Sequence, residues 1–282
     1  LVKNERVGFM QGRLSPLVDG LIQCFPWDNW QNEFALAEES ELHLMEWTLD
    51  QERLYENPLL TISGQEKISK LCKQYQLSIP SLTGDCFMQA PFWKVSPEQR
   101  GKLEKDFLAI ANACSVVGIE MIVVPLVDNG RLDTIEQEEL LIGFLEKNAI
   151  FFENKNLQVI FESDFGPSEL SRFISRLPSK LFGINYDIGN SAALGYLPKE
   201  EFAAYGSRIR NVHVKDRSLG GTTVPLGTGN ADFELVFSLL GDMGYSGNII
   251  LQTARAEDDN HSKPLCTYRD MVVQWVQQFN IK

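Results

Sequence analysis

The chain has 282 residues and a formal net charge of −12, with 44% hydrophobic and 23% charged residues. This balance is ordinary for a globular protein large enough to bury a substantial core. An acidic chain with scattered basic residues repels phosphate backbones, which argues against nucleic acid as a partner, and the longest uncharged apolar run, Met121 to Val127, contains Pro125 and is far too short to span a bilayer.

In chain order, short β-branched or apolar runs alternate with amphipathic stretches, the mark of repeated βα units around a parallel sheet. Strands are predicted at Val7–Met10, Leu42–Trp47, Ser78–Thr83, Met121–Pro125, Gln158–Glu162, Phe182–Asp187, Ile209–Lys215 and Gly247–Gln252. Between them, Ile68, Leu71, Cys72 and Tyr75, and again Phe233, Val236, Phe237 and Leu240, recur at helical spacing. Leu103, Phe107, Ile110, Ala111 and Cys114 form a similar stripe; all of these read as core. Ser96-Pro97, Gly166-Pro167 and Asp232 mark helix starts. The spacing of about 35 residues per unit predicts a single (β/α)₈ TIM barrel over residues 1–282. Neither GxGxxG nor GxxxxGK[ST] follows any strand, so a nucleotide-binding doubly wound sheet lacks its phosphate loop.

Ser15–Trp30 and Asp50–Ser63 are long for βα loops and are expected to cover a site. The early-loop aromatics Phe25, Trp27, Trp30, Phe87, Phe92 and Trp93 would wall a pocket or bury a subunit contact, leaving a homodimer or homotetramer open. Five cysteines without a CxxC pair read as reduced thiols, and the opening LVKNERVGF carries no apolar signal segment. Both suggest a cytoplasmic protein.

Chemistry gathers where the strands end, the face that hosts barrel active sites. The fifth strand ends in Glu162, the sixth in Asp187, and the eighth in Gln252; the seventh, IRNVHVKD, holds His213 with Lys215 and Asp216 at its tip. One strand-end carboxylate would read as a helix cap. Four successive polar ends suit a divalent ion such as Mn²⁺, Co²⁺, Mg²⁺ or Zn²⁺, with a purely hydrogen-bonded cluster as the alternative. Gln11 and Arg13 after the first strand, Glu46 in the second, Asp85 after the third and Arg255 after the eighth complete a pocket, although Arg13 and Arg255 could equally pair with acids across the mouth.

FES around Glu162, NYDIGN around Asp187, NVHVKDR around His213, and VPLGTGNADF leading into GYSGNIILQ carry a resemblance. The chain resembles the xylose-isomerase-like barrel superfamily, and within it the sugar phosphate isomerase/epimerase group. The resemblance implies a Glu, Asp, His, Glu metal set on strands five to eight. Glu162, Asp187 and His213 match it, whereas Gln252 stands where the family usually has glutamate. It also implies that Asn190 replaces a common histidine, and that Asn190, Lys215, Asp216 and Arg217 lie beside a small sugar or sugar phosphate.

The implied reaction takes a proton from a carbon beside a carbonyl through an enediolate, with Glu162 as base and Lys215 as a further catalytic group. Glutamine can ligate metal but cannot act as a base, so two-base epimerisation is disfavoured. One-base isomerisation, dehydration, and ligand binding without turnover remain the readings to separate. A replacement second base could come from Glu46, Asp85 or Lys215. The apurinic endonucleases of the superfamily need several histidines for a multi-zinc cluster, and this chain has three in all.

Overall fold

The computed structural model describes residues 6–256, 258 and 260–282; the opening LVKNE and two residues of the last βα loop lie outside the described residues. The strands are β1 (Val7–Met10), β2 (Leu44–Thr48), β3 (Ser78–Thr83), β4 (Met121–Leu126), β5 (Gln158–Ser163), β6 (Phe182–Asp187), β7 (Ile209–Val214), β8 (Asp216–Arg217), β9 (Thr223–Val224) and β10 (Asn248–Leu251). All the long strands pair in parallel and close in the order β1–β2–β3–β4–β5–β6–β7–β10 and back to β1. The result is a (β/α)₈ barrel, while β8 and β9 form a separate antiparallel hairpin past the seventh barrel strand.

Strands β1, β3 and β6 begin and end where predicted. β2 starts at Leu44 rather than Leu42, and β10 ends at Leu251, one residue before Gln252. Helices occupy the predicted stripes at 62–75, 97–117 and 233–242. Ser96, Asp187 and Asp232 cap their helices through side-chain oxygens, and Pro97 and Pro167 stand in first turns.

Side chains alternate along each strand. Phe9, Met45, Trp47, Leu82, Val124, Phe161, Ile184, Tyr186, Val212, Val214, Ile249 and Leu251 face outward into one large core beneath the helices. Each such burial stabilises the fold by about 1.5–3 kcal/mol. The inward set differs from a continuously apolar strand. Met10, Leu44 and Ile250 make a small separate apolar cluster, and beside it, at the level of Glu46 and His213, the interior is polar. Gly8 keeps that cluster close, since a Cβ there would lie 2.3 Å from the Leu44 side chain and 2.5 Å from its carbonyl oxygen.

The early aromatics do not wall a pocket. Phe25, Trp30, Phe87, Phe92 and Trp93 are buried in the main core, where Trp30 and Trp47 pack edge to face and Phe87 stacks on Phe107. Trp27 is partly buried, with the Arg53 guanidinium 3.9 Å above its ring. Leu54 and Leu59 anchor the 50–63 loop in the same core. The five cysteines are free, and no helix among the described residues is long and apolar enough to cross a membrane.

Candidate functional site

Alternation brings the inward residues of β2, β3, β5, β6 and β7 into one buried polar network. Glu46 stands at its centre with no exposed surface. It accepts hydrogen bonds from Ser81 Oγ at 2.6 Å, from Thr83 Oγ1, and from Asn211 Nδ2 at 2.9 Å, and it faces His213 Nε2 at 2.7 Å. Burial works against a charge on Glu46, but His213, Ser81 and Thr83 outweigh it and hold the carboxyl below its usual range.

With Nε2 turned to Glu46, the other nitrogen of His213 faces the mouth. His213 Nδ1 lies 3.2 Å from Glu162 Oε2, 4.0 Å from Asp187 Oδ2 and 3.0 Å from Asn185 Nδ2. A carboxylate behind a ring nitrogen is the usual support for a metal-ligating histidine. Ligand atoms of Glu162, Asp187 and His213 all lie within 4.8 Å of one another.

Asp187 divides its carboxylate. Oδ1 caps the following helix by accepting from the Asn190 amide at 2.8 Å, while Oδ2 points inward without an aligned hydrogen-bond donor among the described residues. Lys215 Nζ lies 2.7 Å from that oxygen as an ion pair and donates to Gln252 Oε1 at 2.9 Å. The Lys215 ammonium therefore bridges the second and fourth expected ligands.

The residues fit a divalent cation. They offer a buried oxygen with lone pairs to spare, a second carboxylate, and an imidazole oriented from behind. Burial opposes charge on His213, but Glu46 and Glu162 outweigh it and raise the ring to about 10. A cation binding at Nδ1 would thus displace a proton. Burial pushes Glu162 up, yet His213, Lys215 and Asn185 outweigh it and leave the carboxyl below its ordinary value. Burial raises Asp187 despite the opposing Lys215.

A cavity of about 420 Å³ opens over this cluster. Arg13, Asp85, Glu162, Asn190, Lys215, Arg217 and Gln252 line it, as the sequence reading expects of cavity residues. Four other expected substrate contacts are placed elsewhere. Gln11 accepts from the Thr48 amide and ties β1 to β2. Glu46 supports His213. Asp216 is wholly buried and accepts the backbone N–H groups of Gly227, Gly229 and Ala231. This cradle requires glycine at 229, where a Cβ would meet Asp216 Oδ1 at 2.2 Å. Arg255 donates to the carbonyls of Gly12 and Ser15.

Ser81, Thr83, Asn185, Asn211 and Gln23 also belong to the site, and none of them is among the residues expected from the strand ends. The first four sit two residues from another inward position, as in Asn185/Asp187 and Asn211/His213. That period of two in otherwise apolar runs is the signal that marks them. Gln23 lies in a loop and carries no such signal.

Asp85 is buried, and this pushes its carboxyl up to about 7 against the hydrogen bond from Gln23. Arg13 donates through all three nitrogens to Thr253 O, Ile22 O and Gln23 Oε1. Arg217 does likewise to Gly221 O and Asn190 Oδ1.

A closed parallel barrel with a carboxylate–histidine cluster at its strand ends is the class of structure this chain presents. The chain belongs to the xylose isomerase-like TIM barrel family, whose sequence profile matches residues 34–270. An inosose dehydratase of Clostridium botulinum (strain Alaska E43 / Type E3) is 24% identical over 199 residues. That alignment takes in 57% of this chain and 66% of the relative, just short of two thirds of its length. Among solved structures, a xylose isomerase domain protein from Planctomyces limnophilus superposes with a TM-score of 0.75 at 16% identity, covering 98% of each chain. The IOLI protein with a bound zinc atom gives a TM-score of 0.74 at 14% identity, covering 97% of this chain and 99% of that one.

Proposed function

We propose that this chain is a metal-dependent enzyme that moves a proton at the carbon beside a carbonyl in a small sugar, keto-sugar or related polyol. The observation that carries this reading is the convergence of Glu162, Asp187 and His213, with His213 held from behind by Glu46. These three side chains would hold the ion, with Gln252 Oε1 as the fourth donor. When bound, a divalent ion supplies a Lewis acid that polarises the substrate carbonyl.

Glu162 is ionised and faces the cavity, so it is the base that takes the C–H proton. Returned to the neighbouring carbon, while a hydroxyl proton passes to the former carbonyl oxygen, that proton completes a one-base isomerisation. Epimerisation needs a second base. Glu46 is committed to four partners and does not line the cavity, whereas Asp85 lines it with a carboxyl near neutrality, which makes Asp85 the candidate.

Dehydration is the second reading. It is favoured by the name of the Clostridium relative and by Lys215, whose ammonium lines the cavity. Glu162 would take the C–H proton, and Lys215 would give a proton to the departing hydroxyl, which leaves as water. The committed donors of Arg13 and Arg217, set against the cavity carboxylates Glu162, Asp85, Asp128 and Asp164, favour a free substrate over a phosphate.

The test incubates the chain with Mn²⁺ or Zn²⁺ and free ketoses, their phosphates and inososes in D₂O, followed by NMR. Deuterium at one carbon with an isomeric product supports isomerisation, and an unsaturated product absorbing in the near ultraviolet supports dehydration. Glu162→Gln should abolish either. Failure of every substrate to exchange, with metal bound, would leave ligand binding without turnover.

A further inference from the structure

Gln252 has a partner at each end of its amide. Lys215 Nζ donates to its Oε1 at 2.9 Å, and its Nε2 donates to Gln23 Oε1 at 2.8 Å. Gln23 Nε2 donates in turn to Asp85 Oδ2 at 2.7 Å, and Arg13 Nη2 reaches the same Gln23 Oε1 at 3.2 Å. A side-chain amide can be turned over without changing its outline, so its direction must come from its neighbours. In this chain an ammonium that can only donate stands at one end and, once Asp85 is ionised, an accepting carboxylate stands at the other. Both amides are thereby set, and Arg13 sets Gln23 a second time.

Gln23 belongs to the loop after β1, and little apolar packing holds that loop. Leu17 is 40% exposed, Leu21 55% and Ile22 44%. Ile22 and Gln23 nevertheless form part of the cavity wall. We propose that Gln252 is a positioning residue for this loop, and that the directed chain Lys215–Gln252–Gln23–Asp85 holds residues 15–24 against the cavity. A glutamate at 252 would set an oxygen against Gln23 Oε1. Turning Gln23 over would then set that oxygen against Asp85 and its amino group against Arg13. Gln252 and Gln23 are therefore a matched pair, and the glutamine is not a damaged metal ligand. The inference does not depend on which reaction the site performs.

Hydrogen–deuterium exchange of the full chain at about pH 8.5, where Asp85 is ionised, reads this directly in peptides spanning residues 15–25. Gln252→Glu should speed exchange there by about tenfold, the scale of one lost anchoring contact, with β4 and β5 peptides unchanged. Asp85→Asn alone should stay near wild type, because its amide oxygen still accepts from Gln23. The double variant moves the charge from one end of the chain to the other, so a reversed Gln23 can donate to Glu and accept from Asn. Its exchange should return to within about threefold of wild type, the shortfall reflecting the lost Arg13 contact. Gln23→Ala should speed the same peptides with residue 252 intact. Wild-type exchange in Gln252→Glu or Gln23→Ala, or a double variant as fast as Gln252→Glu, would overturn the proposal.

Discussion

On the β5–β7 side of the mouth, Glu162, Asp187, Asn185, Asn211 and His213 sit on strands, and their backbones are fixed by the barrel ladder before any side-chain contact forms. On the β1–β3 side, Arg13, Gln23 and Asp85 lie beyond the strand ends, and hydrogen bonds among the side chains and loop carbonyls place them. The first arrangement suits groups whose spacing must be kept within tenths of an ångström. The second suits a wall that can be altered without disturbing them.

The largest expected effect tests whether the strand-borne network is the rigid half. Glu46→Ala would leave a buried histidine, an asparagine and two hydroxyls without their acceptor, and should cost about 3–5 kcal/mol in urea denaturation. Asp85→Ala on the loop side should cost about 1 kcal/mol. Equal costs would erase the distinction.

Metal binding sharpens it further. Mn²⁺ or Zn²⁺ at a hundred times its Kd should stabilise the chain by about 2.7 kcal/mol in thermal melts. His213→Asn or Asp187→Asn should lose that gain, and Asp85→Asn should keep it. A gain that survives both of the first two variants would place the ion outside the strand-end triad.

A pH-dependent effect bears on the first loop. Glu33 is fully buried and accepts the backbone N–H groups of Gly12 and Leu14, yet burial raises its carboxyl from 4.5 to about 7. The fold holds that proton more tightly than the unfolded chain does, so stability is full below pH 4.5 and falls as pH rises through 7. The loss should be about 3 kcal/mol, and Glu33→Gln should flatten the stability profile across that interval. An unchanged slope in the variant would assign it to another group.

The same division explains what could be read from sequence. Strand-borne chemistry was legible because Glu162 and Asp187 interrupt apolar runs whose period assigns them a face, and the strand ends follow from the same runs. The meaning of Glu46 was not legible. Its partner His213 is 167 residues away, and only the closed barrel reveals that Glu46 orients that ring and does not touch the cavity. Asp216 looked like a site residue because it adjoins Lys215, but its carboxylate turns to three backbone amides of a later loop. The loop aromatics read as a pocket wall or a subunit contact because loops usually lie at the surface, whereas these loops fold Phe25 and Trp93 into the core. Gln23 was invisible because nothing local distinguishes a glutamine that aligns another glutamine.

The contacts by which Glu46 of β2 accepts from Asn211 and faces His213, both of β7, have a consequence for how the molecule assembles. β2 and β7 are not neighbours in the sheet, since β1 and β10 lie between them. The bonds therefore cross the hollow of the ring and tie the second barrel strand to the seventh. Such contacts, far apart in sequence, are among the slowest to be won in folding. Neither half of the ring holds this centre alone, because the carboxylate comes from the early strands and the imidazole from the late ones.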